Sequence, residues 1–266
     1  MKRYVKGILS YFGYELRRLP EKKAKTGYYS LFSPIRMTMK ESLIHLKSLC
    51  FYPELIIDVG AADGTFPLLD VFPDTEYIWV EPLGEFEENL KRLKEKYKGF
   101  YIIAAAGKEK GEMNINLHDD LYGSSLLKES DGIKADGIQK KINIIKLDDI
   151  LSEIISGKNG VLLKIDVQGA EIDVLEGSLN ILDFIDVIIL EVSLFKFHHH
   201  APEFYDIIIY MKDKGYVVFD LFGGLNRPID QALAQKDIMF VKEKGIFRTT
   251  HNFATGDQRK LIKEFF

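Results

Sequence analysis

The sequence has 266 residues, of which 46% are hydrophobic and 29% charged, and its formal net charge is −4. This composition is typical of a globular protein and excludes a chain that is disordered throughout. A single cysteine excludes an internal disulfide, no apolar run reaches the length of a membrane span, and the net charge gives no general attraction for nucleic acid. We therefore expect a cytoplasmic protein that does not bind nucleic acid.

The N-terminal segment is basic and carries apolar residues at helical spacing. Val5, Ile8 and Phe12 belong to a stripe that predicts an amphipathic helix over residues 1–19, and Pro20 ends it. A helix of this kind can pack on the domain with its basic face in water, which is the favoured interpretation. The alternative is peripheral contact with an anionic membrane surface, at the inner face of the membrane.

After this segment, helical and strand patterns alternate along the chain. Thr38 and Glu41 form a capping-box pair that predicts a helix over residues 38–49. The predicted strands are residues 55–60, 77–82, 100–107, 111–120, 161–167, 186–193, 216–222 and 237–242. The predicted helices between them are residues 65–71, 84–97, 147–155, 171–182 and 202–215, and residues 123–137 are predicted to form a loop.

This alternation predicts an α/β fold with a mostly parallel sheet and helices on both faces. The short final connection favours an antiparallel last pair of strands. We divide the chain into an N-terminal helical extension, residues 1–50, a sheet domain, residues 51–245, and a C-terminal tail, residues 246–266. Ligands of such sheets bind at the carboxyl ends of the strands, so the chemistry is expected there.

A glycine-containing loop directly follows the first predicted strand. Its sequence is Asp58-Val59-Gly60-Ala61-Ala62-Asp63-Gly64. Glycines permit positive φ and close approach of a ligand, and the start of the next helix offers free N–H groups to a carboxylate. The Gly-x-x-x-Gly spacing differs from the Gly-x-Gly-x-x-Gly of a dinucleotide site, which argues against the alternative of an NAD(P)-dependent oxidoreductase.

The second predicted strand ends in Glu81 and Pro82. An acid at this place accepts hydrogen bonds from the ribose hydroxyls of a nucleoside. Taken alone, it is more simply interpreted as an exposed carboxylate at a strand end. Together with the glycine-containing loop at the neighbouring strand end, it indicates a cofactor that contains a nucleoside.

Charged residues also end two later strands. Lys164, Asp166 and Glu171 surround the end of one, and Glu191 ends the next, with His198 a few residues beyond. Charges at the tip of a buried strand must face a cleft or pair with each other. A structural ion pair of Lys164 with an aspartate or with a glutamate such as Glu171, and a solvated histidine loop, are the simpler alternatives to a catalytic site.

An ordered set of segments between Leu55 and Glu191 resembles the FkbM family of S-adenosylmethionine-dependent methyltransferases. The segments are IIDVGAADG, VEP, AAAGKEKGEMNI, GSS, KLDDI, LLKIDVQGAEIDVLEGS and ILEVS. The resemblance implies the Rossmann-like class I methyltransferase fold, in which the last strand of a seven-stranded sheet is antiparallel. Ser193 departs from the family pattern, in which a histidine is common at this position.

The resemblance also implies the cofactor, S-adenosylmethionine, and residues that contact it. Asp58, Gly60 and Gly64 are expected to shape the pocket for its methionine part, and Glu81 to bind its ribose. The other expected contacts are Ala61, Asp63, Pro82 and Ala105.

Family members are generally O-methyltransferases, so we expect a hydroxyl acceptor on a sugar, glycan or natural product. Such a hydroxyl must lose its proton, and Asp166, Glu191 or His198 can act as the base, with Asp166 preferred. Lys164 would stabilise the developing negative charge. A divalent cation held by the two acids and a histidine is an alternative that no ligand spacing supports. A module that binds the cofactor without catalysis also stays open, and the sequence does not indicate an oligomeric state.

Overall fold

The structure is a computed structural model, and it describes residues 35–118, 121–128 and 137–263. The helices are α1 Met39–Ser48, α2 Phe66–Val71, α3 Glu87–Lys96, α4 Leu147–Ile155, α5 Glu171–Glu176, α6 Phe204–Asp213 and α7 Gly256–Lys263. The strands are β1 Leu55–Val59, β2 Glu76–Glu81, β3 Gly99–Ile103, β4 Ala105–Ala106, β5 Gly111–Leu117, β6 Ile138–Ile145, β7 Val161–Ile165, β8 Val187–Ser193, β9 Tyr216–Asn226 and β10 Leu233–Lys242. The predicted N-terminal helix over residues 1–19 lies outside the described residues.

Seven strands form the main sheet, in the order β3-β2-β1-β7-β8-β10-β9. The pairs among β3, β2, β1, β7 and β8 are parallel, whereas β10 is antiparallel to both of its neighbours. The prediction of a mostly parallel sheet with an antiparallel last strand is confirmed. The strand order reverses between β1 and β7, so their carboxyl ends flank the switch point where ligands of such sheets bind.

Helices cover both faces of the main sheet, as predicted. On one face α4, α5 and α6 bury residues such as Leu151, Val174 and Met211 against the sheet. On the other face α1, α2 and α3 contribute residues such as Leu46 and Leu90. Because β1 and β7 are covered on both faces, all five residues of each strand are buried.

The start of α1 confirms the predicted capping box. The Thr38 side chain accepts a hydrogen bond from the Glu41 backbone, and the Glu41 carboxylate accepts one from the Thr38 backbone. These bonds satisfy N–H groups that the first turn of a helix leaves without partners.

The prediction of one continuous strand over residues 100–107 is wrong. The chain breaks at Ala104, so β3 ends in the main sheet and β4 begins a second, small sheet of order β4-β6-β5. The apolar run FYIIAAAG shows no break because both strands contact buried surfaces, and only the pairing partners distinguish them. This change of sheet places Ala105 in the small sheet.

Strand β6 is absent from the predicted elements. Its adjacent residues Lys140 and Lys141 interrupt the alternation of polar and apolar side chains, and its buried residues include only Ile142 and Ile144. Antiparallel pairing with β5 supplies the hydrogen bonds that fix it as a strand, and this long-range pairing leaves little local signal.

The predicted helix over residues 171–182 is too long. Helix α5 ends at Glu176, and a single 3₁₀ turn follows at Leu182–Phe184. At Gly177 an added Cβ would lie 2.0 Å from the Gly107 carbonyl oxygen, so the chain leaves the helix where two backbones meet. The apolar spacing continues past this point because Ile181 and Leu182 beyond it are also buried.

The chain divides into two compact units. The larger, Arg36–Thr249, contains the main sheet, the small sheet and helices α1 to α6. Because Leu43 and Leu46 of α1 belong to its core, α1 is part of this unit, although the predicted sheet domain began at residue 51. Among the described residues, the smaller unit contains α7.

No helix in the described part of the chain combines the length and the apolar character needed to cross a membrane. The proposed membrane contact of the basic N-terminal segment falls outside the described residues and stays a prediction.

Candidate active site

A cavity of about 360 Å³ lies at the carboxyl ends of β1, β2, β7 and β8. The following predicted cofactor residues line it: Gly60, Ala61, Asp63, Gly64, Glu81, Pro82 and Ala105. Three predicted catalytic residues line it as well: Lys164, Asp166 and Glu191. The switch point of the sheet therefore brings most of the predicted site residues to one cavity.

The glycine-containing loop forms one wall of the cavity, and at two positions its backbone leaves little room for a side chain. Gly60 has φ +71°, and an added Cβ would lie 1.8 Å from the Asp166 carbonyl oxygen. At Gly64, with φ +99°, an added Cβ would lie 2.5 Å from Leu93 Cδ1. Both positions thus need glycine for conformation and for space. The loop is also held against β2, because the Gly60 and Ala61 N–H groups donate to the Val80 carbonyl oxygen.

Glu81 is the last residue of β2 and is buried. Its carboxyl group accepts hydrogen bonds from the backbone of two segments of the cavity wall. Its Oε2 accepts a hydrogen bond from the Ala62 N–H at 2.8 Å, and its Oε1 accepts one from the Leu83 N–H at 2.9 Å. Burial raises the pKa of Glu81 to about 7, although these two N–H groups act in the opposite direction. An ionised carboxylate has about four lone-pair directions, so two are still available to a ligand.

Asp58 is fully buried and lies behind the cavity wall instead of on it. Its carboxylate accepts hydrogen bonds from the Thr65 N–H at 3.1 Å and the Thr65 hydroxyl at 3.0 Å. Burial raises the pKa of Asp58, while nearby Lys164 and the Thr65 bonds lower it. The contacts of Asp58 support the shape of the loop from the rear.

Lys164 is buried between two acids from neighbouring strand ends. Its Nζ lies 3.6 Å from Asp58 Oδ1 and 3.2 Å from Asp166 Oδ2. Burial alone would lower the pKa of Lys164, but the charges of Asp166 and Asp58 outweigh burial and raise it. The alternative of an ion pair between Lys164 and an aspartate is therefore confirmed. Pairing with Glu171 is wrong, because the Glu171 carboxylate instead accepts a hydrogen bond from the Gly169 N–H at 2.9 Å.

Glu191 lies on the next strand and shares one donor, the Gln168 amide, with Asp166. Its Oε2 accepts hydrogen bonds from the side-chain amides of Gln168 and Gln235, each at 2.8 Å. Burial, followed by the charges of Asp166 and Asp237, raises the pKa of Glu191 to about 8. Burial and the neighbouring acids therefore favour the protonated form of Glu191.

His198 is not among the residues that line the cavity. It lies in the loop after β8, where its Nδ1 would be 3.6 Å from a Cβ added at Gly169. Its proposed role as a base stays a prediction, and the position beside Gly169 places it next to the Asp166 segment.

The cavity is covered by residues that sequence reasoning did not single out. The small sheet and nearby loops contribute Phe86, Ala106, Ile115, Leu121, Tyr122, Ser124 and Leu126. The Phe86 and Tyr122 rings contact each other, with their centroids 5.3 Å apart. The GSS segment was the available signal, since it includes Ser124 and Ser125.

Within residues 35–118, 121–128 and 137–263, no group of three or more His, Cys, Asp or Glu side chains is arranged to hold a metal ion. The acids at the end of β7 and β8 are bound by Lys164, Gln168 and Gln235. The structure thus offers no support for the alternative of a divalent cation.

The sequence profile described as "Methyltransferase FkbM domain" matches residues 58–218, which is more than half of the chain. The chain therefore belongs to the FkbM family of S-adenosylmethionine-dependent methyltransferases. The resemblance noted in the sequence is confirmed, and an NAD(P)-dependent oxidoreductase is removed from the alternatives. No curated protein sequence matches the chain.

Solved methyltransferases are similar to the chain at low identity. PH1948 from Pyrococcus horikoshii, a candidate RNA methyltransferase, is 18% identical with a TM-score of 0.38, and the match covers 91% of this chain and 99% of that one. Aeropyrum pernix fibrillarin with bound S-adenosyl-L-methionine is 12% identical with a TM-score of 0.42, covering 76% and 74%. Magnesium protoporphyrin IX methyltransferase from Synechocystis PCC 6803 is 10% identical with a TM-score of 0.41, covering 91% and 96%. The family assignment rests on the FkbM profile alone.

The cavity fits S-adenosylmethionine in both size and chemistry. Its volume of about 360 Å³ lies in the range of pockets for small ligands. Gly60 and Gly64 leave the wall free of side-chain atoms, and Glu81 offers free lone pairs beside that wall. These residues would hold the methionine part and the ribose respectively.

Proposed function

We propose that the enzyme methylates a hydroxyl group of a sugar, glycan or natural product, with Asp166 removing the hydroxyl proton. The observation that carries the proposal is that one cavity joins the glycine-containing loop and Glu81 to a second group of Lys164, Asp166 and Glu191. A cofactor-binding wall and a group of acids thus share the space in which two reactants would meet.

Bound S-adenosylmethionine supplies a methyl group on a positively charged sulfur, which an oxygen nucleophile can attack. The chain's own part is to place the acceptor and to take its proton. As the acceptor oxygen forms its bond to the methyl carbon and the carbon–sulfur bond breaks, the hydroxyl proton passes to a carboxylate oxygen of Asp166. Positioned proton transfer of this kind contributes on the order of 10²- to 10⁴-fold to a rate.

The charges around Asp166 suit this role. The Lys164 ammonium at 3.2 Å and the Gln168 amide at 3.0 Å each contact one of its oxygens, which fixes the plane of the carboxyl group. Lys164 also supplies a positive charge where negative charge develops on the acceptor oxygen. The Lys164 side chain is buried, and in such surroundings its interaction with Asp166 is stronger than it would be in water.

The acceptor class follows from the family, whose members are generally O-methyltransferases, and from the donors and acceptors at the cavity. Carboxylate and amide groups bind hydroxyl-rich molecules through hydrogen bonds. The predicted membrane contact of the basic N-terminal segment would be compatible with a lipid-linked sugar.

The test combines cofactor binding with a search for the acceptor. Cell extract is incubated with the enzyme and S-adenosylmethionine carrying a labelled methyl group, and labelled products are identified by mass spectrometry. We expect a product methylated on oxygen. Asp166→Asn should reduce its formation by at least roughly 100-fold while calorimetry shows nearly unchanged affinity for the cofactor.

The exposed Asp149→Asn variant is the matched control, and it should retain full activity. A labelled product that carries the methyl group on nitrogen or carbon would contradict the acceptor class. An Asp166→Asn variant as fast as the unmodified enzyme would remove Asp166 as the base.

A further inference from the structure

The Gln168 side chain connects two acids of the cavity, Asp166 and Glu191. Its Nε2 lies 3.0 Å from Asp166 Oδ1 and 2.8 Å from Glu191 Oε2. An amide nitrogen carries two hydrogens, so it can donate one to each carboxyl group. The bridge therefore joins the end of β7 to the end of β8 at the place where both strands meet the cavity.

The backbone of Gln168 adopts a conformation that side-chain-bearing residues seldom take. Its φ is +56°, and it is followed by Gly169 at φ +103°. Such a conformation is unfavourable for an L-residue and persists only where the surroundings fix it. An outlier of this kind at a cavity wall indicates that the direction of the side chain matters there.

Ser125, which lies between Ser124 and Leu126 of the cavity cover, supplies the contact that fixes this backbone. Its hydroxyl donates a hydrogen bond to the Gln168 carbonyl oxygen at 2.7 Å, and its oxygen accepts one from the Leu127 N–H at 3.0 Å. Ser125 is only 1% exposed, so water does not compete for these bonds. Leu127 also packs at Gly169, where its Cδ1 would be 3.1 Å from an added Cβ.

Charged groups from three strands face the bridged acids. They are Lys164 beside Asp166, Asp58 from β1 and Asp237 from β10, which lies directly opposite Glu191 in the register. The charges of Asp166 and Asp237 both raise the pKa of Glu191, after burial, whereas the Gln168 bond lowers it. The amide thus works against the repulsion between neighbouring acids.

We propose that Gln168 is a positioning residue, which holds the Asp166 carboxyl in one orientation beside Glu191, and that Ser125 fixes the backbone from which the amide reaches both acids. The proposal rests on the proposed function, in which Asp166 takes the acceptor proton. Loss of the amide frees the Asp166 carboxyl to rotate and brings two acids together without a shared donor.

The test uses Gln168→Met, which keeps the length of the side chain but removes its donor, and Ser125→Ala as an independent variant. Exposed Gln139→Met is the matched control. Three measurements are made on each full-length protein: calorimetry with S-adenosylmethionine, transfer of labelled methyl groups into cell extract across pH, and ¹³C-carboxyl NMR titration.

For Gln168→Met we expect transfer to fall by roughly 100-fold, as misplacement of a reacting group by about 1 Å can cause. Cofactor affinity should stay within about twofold, and the midpoint of the Glu191 titration should rise. Ser125→Ala should change the rate and the midpoint in the same direction by a smaller amount, and it keeps the proposal testable if Gln168→Met fails to fold.

A Gln168→Met or Ser125→Ala protein with an unchanged rate and an unchanged Glu191 titration would overturn the proposal. Asp166→Asn separates this failure from that of the proposed function. If Asp166→Asn loses activity and the two variants do not, the positioning role alone is refuted, whereas full activity of Asp166→Asn refutes the proposed function itself.

Discussion

At the residue scale, the buried and half-buried carboxyl groups near the cavity differ in the donors that they contact. Glu81 binds two backbone N–H groups, Glu191 binds two side-chain amides and Glu171 binds the Gly169 N–H. Burial is the largest influence on all three, and it raises the pKa of Glu81 and Glu171 to about 7 and that of Glu191 to about 8. Binding and stability should therefore change within the neutral pH range.

We predict that the affinity for S-adenosylmethionine rises with pH up to about 7. Ribose hydroxyls donate to ionised Glu81, whose pKa is about 7, so binding below that pH must also remove a proton. The expected loss is roughly tenfold per pH unit below this value. Calorimetry from pH 5.5 to 8.5 measures it.

The Glu81→Gln variant should weaken binding by roughly 2 kcal/mol at pH 8 and remove most of the pH dependence. The exposed Glu95→Gln variant should reproduce the unmodified profile. A pH profile that keeps its shape in Glu81→Gln would show that another group controls cofactor binding.

Glu171 gives a second prediction, on the stability of the fold. Its pKa rises from the ordinary 4.5 to about 7 on folding, so the folded protein binds more protons between these values. Its contribution is fully present below pH 4.5 and is lost as pH rises through 7, by about 3 kcal/mol. Glu171→Gln cannot ionise, so its stability relative to the unmodified protein should increase as pH rises from 5 to 8. Urea unfolding at several pH values measures this difference, with exposed Glu153→Gln as the control.

The sequence predicted several of the residues at the strand ends that line the cavity. Gly60, Glu81 and Asp166 line the cavity as expected, because the carboxyl ends of parallel strands converge. The position of Asp58 and the role of Gln168 were harder to predict from the sequence. Whether Asp58 lies on the wall or behind it depends on the rotation of β1, and the role of Gln168 depends on a left-handed φ that a glutamine seldom adopts.

At the element scale, the loop after β1 contacts the loop after β7 through Gly60. An added Cβ would lie 1.8 Å from the Asp166 carbonyl oxygen, so the two loops must separate to accept any side chain. Such a separation changes both the cofactor wall and the position of the proposed base. Backbone contact at one residue thus couples the two halves of the site.

We predict that Gly60→Ala abolishes both cofactor binding and activity. Gly157→Ala is a matched control, because Gly157 also has a positive φ, +83°, but no atom lies within 4 Å of its added Cβ. The control should cost only the strain of a left-handed alanine, about 1–2 kcal/mol. Urea unfolding and calorimetry distinguish the two effects, and equal losses in both variants would refute the role of close contact.

The capping box gives a prediction for α1. Thr38→Ala removes the side-chain acceptor for the Glu41 N–H, and it should lower the free energy of unfolding by about 1 kcal/mol. Because α1 packs Leu43 and Leu46 into the core of the larger unit, the loss should appear in its main unfolding transition. Exposed Thr249→Ala is the control and should leave the midpoint unchanged. An unchanged urea midpoint in Thr38→Ala would show that α1 frays independently.

Helices and strands of the main sheet were the most predictable elements because each carries its own periodic signal. Helix α4 matches its predicted range, Leu147–Ile155, and α6 lies within its predicted range. The small sheet was not predictable in this way. Strand β4 has two residues and β6 shows weak alternation, so both are defined by their partners more than by their own sequences.

At the scale of the whole molecule, binding of the cofactor should stabilise the folded chain. A ligand at 100 times its dissociation constant adds about 2.7 kcal/mol to the free energy of unfolding. We predict a clear rise in Tm with S-adenosylmethionine and none with NAD or NADP, measured by thermal unfolding at equal ligand concentrations. A rise with NAD alone would contradict the cofactor inferred from the family and the cavity.

The sequence contains one tryptophan, Trp79, which is fully buried in β2 with its ring stacked 5.3 Å from that of Tyr77. It lies two residues before Glu81 on the same strand, and Val80 between them lines the cavity. Intrinsic fluorescence excited at the indole band therefore comes from a single chromophore in β2, and its emission should be blue-shifted in the native state. The protein thus carries its own optical reporter, which can follow ligand titration and unfolding in one unlabelled sample.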